Sequence, residues 1–220
     1  MPRQFYDACN YGNLEEVKQL LKNPSIDRNW QDLLGQTPFN IACWNGHTEI
    51  VKLLLNDEKV DKMKASKSGT TPFFWACVQG HVEVVKLLVQ NKHIEINQPK
   101  NTGDTPLIAA SHEGHLEVVQ VILASGREVD LTAKNAEGKN AVECAREKRK
   151  FQIVELLESF QKNPNETRTK LKKLASKLYF SLFFIFFFNY YLIYIYIYIL
   201  YLFYFVLVSC FNQKKKNSFR

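Results

Sequence analysis

Three histidines and three cysteines carry the most suggestive spacing in this 220-residue chain. His47, His81 and His115 each follow a glycine at intervals of 34, and Cys9, Cys43 and Cys77 recur at the same interval. Imidazole and thiolate are the common ligands of zinc, and a thiol pair can close a disulfide. A fixed interval argues against both. It places equivalent residues in successive layers of a repeat, roughly 10 Å apart at helix-packing distances. Zinc needs ligands at about 2.0–2.3 Å, and a disulfide needs Cα atoms within about 7 Å. The three histidines are therefore expected to bond backbone in the turn, and the cysteines to be small core residues. Cys144 falls on the inward face of a last, divergent copy, and Cys210 lies in an apolar tail. No nucleophile elbow, phosphate loop or metal constellation occurs, and the carboxylates are scattered. Residues 1–161 thus read as non-catalytic, with no cofactor, no metal and no small-molecule substrate.

The elements behind this spacing are three stretches that align without gaps: TPFNIACWNGHTEIVKLLL (37–55), TPFFWACVQGHVEVVKLLV (71–89) and TPLIAASHEGHLEVVQVIL (105–123). Weaker copies flank them. FYDACNYGNLEEVKQLL (5–21) keeps Ala8, Gly12 and Val17 in register, and NAVECAREKRKFQIVELL (140–157) follows at 35 residues with Arg149 where glycine stood. One copy reads as two helices. Thr37 is a good N-cap and Pro38 suits the first turn, where its missing N–H costs nothing. Gly46 ends the first helix in a conformation few other residues tolerate. Thr48 to Leu55 starts the second, with Ile50, Val51, Leu53, Leu54 and Leu55 apolar. Asn13 with Glu16 resembles a capping box. Helices this short are marginal alone, and stacking like on like buries their remaining faces in a solenoid. Trp75 aligns with Ile41 and Ala109, so bulk on one layer is expected to fill the gap on the next.

This pattern resembles the ankyrin repeat, through the Thr-Pro-Leu-x-x-Ala core, the Gly-His pair and the leucine run at a period near 33. The resemblance implies an all-α fold, a solenoid of paired short antiparallel helices. Its five units are expected at about 4–34, 35–68, 69–102, 103–137 and 138–161, the outer two acting as polar caps. Asn40, Phe74 and Ile108 stand where the family carries a histidine. Gly126 is the one glycine after a second helix, and Asn23, Asn56 and Asn91 are expected to take left-handed geometry in its place.

The resemblance further implies a protein partner on the concave face, built from hairpin tips before each Thr-Pro and residues before each Gly-His. The first tip is Leu33, Leu34 and Gln36, the second Lys67, Ser68 and Thr70, the third Asn101, Thr102 and Asp104. The helix positions are Trp44 with Asn45, Val78 with Gln79, and His112 with Glu113. Exposed Leu33, Leu34 and Trp44 would form an apolar cluster near Tyr11, since Trp and Tyr are favoured anchors. The alternative is that Leu33 and Leu34 pack inward in an irregular first hairpin. Trp44 is the expected single anchor: its loss should weaken a partner by about 2 kcal/mol or more and leave stability unchanged.

Charge divides the chain. Of 29 Lys and Arg and 22 Asp and Glu, residues 1–161 hold 19 and 21, and residues 162–220 hold 10 and 1. The repeats therefore have no basic excess for phosphates, and no nucleic-acid partner is expected. Residues 162–177 read as a basic linker that begins as a helix. Residues 178–211 are 34 positions without a charge, 17 of them Phe or Tyr, followed by basic residues 212–220. A membrane-spanning helix needs about 20 apolar residues, so the block suffices as a C-terminal anchor, most plausibly across Tyr190–Cys210, with the repeats facing the cytosol. No secretory leader is seen at the first residues, and a reducing compartment is the default for the repeats. Tyrosines spread through the block and strict Ile-Tyr alternation at 193–199 fit a span poorly. Phe, Tyr, Ile, Leu, Asn and Lys are also the residues of A+T-rich codons, so the block also reads as translated non-coding DNA, such as an unspliced intron starting near residues 170–178. A pore or transporter subunit with a cytosolic repeat domain is the alternative function. The lack of any charge inside the block argues against it, because such charges mark transport pathways.

Overall fold

The computed structural model describes residues 2–177. The chain divides into two compact units, Met1–Leu171 and Lys172–Arg220. Of the second, residues 172–177 are described, and they are helical. The first unit is built of helix pairs: α1 (Pro2–Asn10) with α2 (Leu14–Leu21), α3 (Pro38–Trp44) with α4 (Thr48–Leu55), and α5 (Pro72–Gln79) with α6 (Val82–Gln90). Then follow α7 (Pro106–Glu113) with α8 (Leu116–Ala124), and α9 (Ala141–Glu147) with α10 (Phe151–Lys162). Among the described residues there is no strand, in keeping with the all-α reading. Nor is any described helix long and apolar enough to cross a membrane. The anchor expected at 178–211, Cys210 and the basic residues 212–220 lie outside the described residues.

Each pair packs on the next in two layers. The first helices stack as α1, α3, α5, α7, α9, and the second as α2, α4, α6, α8, α10. The core repeats with the sequence. Phe5, Phe39, Phe73 and Leu107 are at most 2% exposed, and Val17, Val51, Val85 and Val119 are fully buried. Leu54, Leu88, Ile122 and Leu157 form a third buried row. Because α3 has 7 residues and α4 has 8, neither would persist alone, and the neighbouring layers supply their stability.

The local signals act largely as the sequence suggests. The Thr37, Thr71 and Thr105 hydroxyls accept the backbone N–H groups of Asn40, Phe74 and Ile108 at 3.1, 3.1 and 3.2 Å. A reciprocal capping box forms at Asn140 and Glu143. At Asn13 only half of one forms: its side chain accepts from the Glu16 N–H, while the Glu16 carboxylate binds the Asn13 amide instead of the cap backbone. Gly80 ends α5 at φ +77°. Arg149, in the glycine position of the last unit, takes φ +56°, the one positive value outside glycine among the described residues.

Asn23, Asn56 and Asn91 do not adopt left-handed geometry. Asn56 and Asn91 have φ of −88° and −82°, and Asn23 is likewise not positive. The chain turns through side chains instead. Asn23, Asp57 and Asn91 carboxamide or carboxylate oxygens accept the N–H two residues on, each at 2.9 Å. Such Asx turns close a bend without the left-handed backbone.

Residues 162–171 are not a free linker. Helical residues 164–171 pack on the rest of the first unit, burying Thr167 and Leu171 to 8% exposure each. Arg168 donates to the carbonyls of Leu123 and Arg127 at 3.2 and 2.9 Å, and its guanidinium lies over the Phe160 ring at 5.1 Å. The sequence reading counted charges here and missed that Thr167, Arg168 and Leu171 share one helical face. Arg168→Ala should cost about 1.5–3 kcal/mol, the range for hydrogen bonds involving a charged group. A chain ending at residue 161 should melt below one ending at 177. Equal melting midpoints in calorimetry would return 162–171 to the status of a linker.

Candidate protein-binding surface

The loops between helix pairs are short fingers held in a common geometry. Asp32, Ser66, Lys100 and Asn135 each donate to the carbonyl four residues on, at 3.0–3.1 Å. Gly35, Gly69, Gly103 and Gly138 turn the tips at positive φ. The tips are also bonded to one another: Lys67 N–H to the Leu34 carbonyl, Asn101 to Ser68, and Ala136 to Thr102, at 2.8–2.9 Å. One backbone bond per layer fixes the register of the whole row.

This row sorts the candidate residues. Leu33 and Leu34 are 91% and 62% exposed, so the first hairpin presents both to solvent instead of packing them inward. Tyr11 is 79% exposed. Asn45, Lys67, Ser68, Gln79, Asn101, Thr102 and Glu113 are exposed as well. Gln36 and Thr70 are buried, at 4% and 2%, and cannot meet a partner. They lie where the finger returns to the helix. The Thr70 hydroxyl bonds Ser68 at 2.7 Å, and the Gln36 N–H bonds Asp32 at 2.8 Å, so both serve finger geometry.

Trp44 is the main correction. It is half-buried and stacks on Trp75, with ring centroids 4.3 Å apart and planes at 11°. Phe74 meets Trp75 edge-on at 6.5 Å. Trp75 is itself half-buried, and its bulk goes into this stack against the preceding unit. Trp44→Ala should therefore lower stability by about 1–2 kcal/mol, the stacking contribution plus lost apolar burial. A melting midpoint within error of the parent would restore Trp44 as a free anchor.

Val78, Thr102, Asp104, His112 and Glu113 line one cleft of about 440 Å³. Phe74, Lys100, Asn135, Glu147 and Lys148 also line it. Sequence reasoning missed these five: Lys100 and Asn135 flank the fingers, Glu147 and Lys148 lie in the divergent last unit, and Phe74 sits within α5. Glu147 and Lys148 are the pair just before Arg149, which marks them as equivalents of His112 and Glu113. Asp104 is well tethered: Thr102 donates at 2.7 Å, Asn135 at 3.1 Å, and the Lys100 ammonium lies 3.2 Å away. Partial burial works against its charge, but these donors outweigh it and hold the carboxyl below its usual range.

The histidines bond backbone as expected, but across units and not within their own turn. His47, His81 and His115 place Nε2 on the carbonyls of Asn10, Trp44 and Val78, at 3.0, 2.6 and 3.0 Å. Cys9, Cys43, Cys77 and Cys144 are free and buried, and burial pushes each thiol up, away from the reactive thiolate.

The family model for ankyrin repeats (3 copies) matches residues 5–100 and 92–168. Its second match runs through the Thr167–Arg168 contacts that bind the C-terminal helical residues to the stack. No curated protein matches the chain. With the finger row, the paired helices and the family match in agreement, the chain belongs to the ankyrin-repeat family, whose repeats are in general non-catalytic modules of protein–protein interaction.

Proposed function

We propose that this protein is an adaptor: the finger row and adjacent cleft take a protein partner, and residues 178–211 attach the chain to a membrane with the repeats on the cytosolic side. The observation that carries the binding part is the exposure of Leu33 and Leu34 at the first tip. Contiguous exposed apolar surface is a mark of interaction sites. Tyr11 adds aromatic surface, and the tips are backbone-bonded, so a partner meets a surface that pays little ordering entropy. The cleft at Asp104, His112 and Glu113 supplies polar contacts beyond it.

The test uses peptides selected from a displayed library against the full chain. Leu33→Ser with Leu34→Ser should weaken the selected peptides at least 10-fold, about 1.4 kcal/mol, and leave the melting midpoint unchanged. Unchanged affinity would remove the first tip from the site. For the membrane part, support comes from the uncharged length of 178–211. The full chain should resist alkaline extraction, and the sequon Asn165-Glu166-Thr167 should stay unmodified. A glycan on Asn165 would invert the orientation.

A further inference from the structure

Just before the uncharged block the helix carries a dense run of cations. Lys172, Lys173 and Lys177 fall within six residues, all exposed and all on helical backbone. Among the described residues none of the three has a carboxylate within ion-pair distance. Lys170 is different, because its ammonium lies 2.7 Å from Glu166. Helical spacing puts positions 173, 174 and 177 on one stripe, so Leu174, 56% exposed, stands beside two cations. A lone aliphatic set among lysines is the composition of a helix that rests in a membrane interface, with the side chain in the acyl boundary and the ammonium groups among headgroups.

We propose that Lys173, Leu174 and Lys177, with Lys172 on the flank of their stripe, form a docking surface for the anionic headgroups of a bilayer. This rests on the reading that residues 178–211 enter that bilayer, since the uncharged block begins directly after Lys177 and would tether the helix to the membrane. Lysine clusters beside a span gain free energy from anionic lipid with each added cation. A span alone gives no such dependence. The surface thus selects among membranes, favouring an anionic leaflet over a neutral one. A nucleic acid is the less favoured polyanion, because the stripe includes Leu174 and lacks the arginines and aromatics that read bases and backbone together.

The experiment uses the full chain carrying Ser176→Cys and Cys210→Ser, labelled at residue 176 with an environment-sensitive dye. It is mixed with phosphatidylcholine vesicles, or with the same vesicles containing phosphatidylserine. The chain should float with both kinds. The dye emission should shift to the blue on the phosphatidylserine vesicles at lipid concentrations at least 10-fold below those needed on neutral ones. High salt should reverse the shift without releasing the chain. Lys172→Gln with Lys173→Gln and Lys177→Gln should abolish the shift and leave flotation intact. Equal shifts on both vesicles, or a shift that survives the triple change, would overturn the proposal while leaving the anchor standing. A chain that floats with neither vesicle overturns the anchor itself, and the docking surface with it. An equal shift on a short DNA duplex without vesicles would make the stripe a general polyanion site and also overturn it.

Discussion

Leu54→Ala is expected to cost about 2–5 kcal/mol, the range for emptying a leucine site in a closed core. Leu54 is fully buried in α4, and α4 packs on both α2 and α6. The cavity therefore opens in the interfaces on both sides of the second unit. In a linear array each unit leans only on its neighbours, so the loss should not spread evenly. Hydrogen exchange should show the first two units opening well below the midpoint for the last three, and the single thermal transition should broaden or split. A loss under about 1 kcal/mol would mean that α4 is not held between its neighbours as described.

Gly80→Ala is the second large effect, and it tests the histidine row. Gly80 sits at φ +77°, where a side chain costs about 1–2 kcal/mol. A Cβ there would stand 2.6 Å from Nδ1 of His115. The ring must then leave, and it gives up the bond to the Val78 carbonyl, worth about 1 kcal/mol. The expected total is about 2–3 kcal/mol. Gly138→Ala is the matched control, because Gly138 has φ +74° and nothing within 4 Å of its added Cβ. It should cost only the backbone part. Equal losses at the two sites in urea titrations would show that the His115 contact contributes nothing.

The same row explains what the spacing of 34 was worth. Period, caps and apolar positions are local properties, and they were legible in the sequence. Threonine followed by proline marks a helix start in any context, and a valine every 34 residues must face the same way in every layer. From these alone the helix pairs and the apolar positions of Val17, Val51 and Leu54 followed, whereas the buried row of Phe5, Phe39, Phe73 and Leu107 came from the structure. The reading of His47, His81 and His115 as structural also followed, because equivalent atoms in successive layers are too far apart to share a ligand.

What the tertiary structure decided is every question of which neighbour a side chain meets. Trp44 and Trp75 belong to different units and stack because the layers bring them to 4.3 Å. Gln36 and Thr70 occupy tip positions by alignment, yet the return of the finger buries them. Leu33 and Leu34 had two readings, inward or outward, and the sequence held nothing to choose between them. The choice came from the tip-to-tip bonds, which set the direction in which the first finger points. Arg168 looked like one more charge in a basic stretch. Its role depends on the carbonyls of Leu123 and Arg127, which lie 45 and 41 residues earlier in the chain. Periodicity fixes which face of a helix is buried, because that depends on 3.6 residues per turn. It cannot fix contacts between residues that chain geometry alone does not bring together.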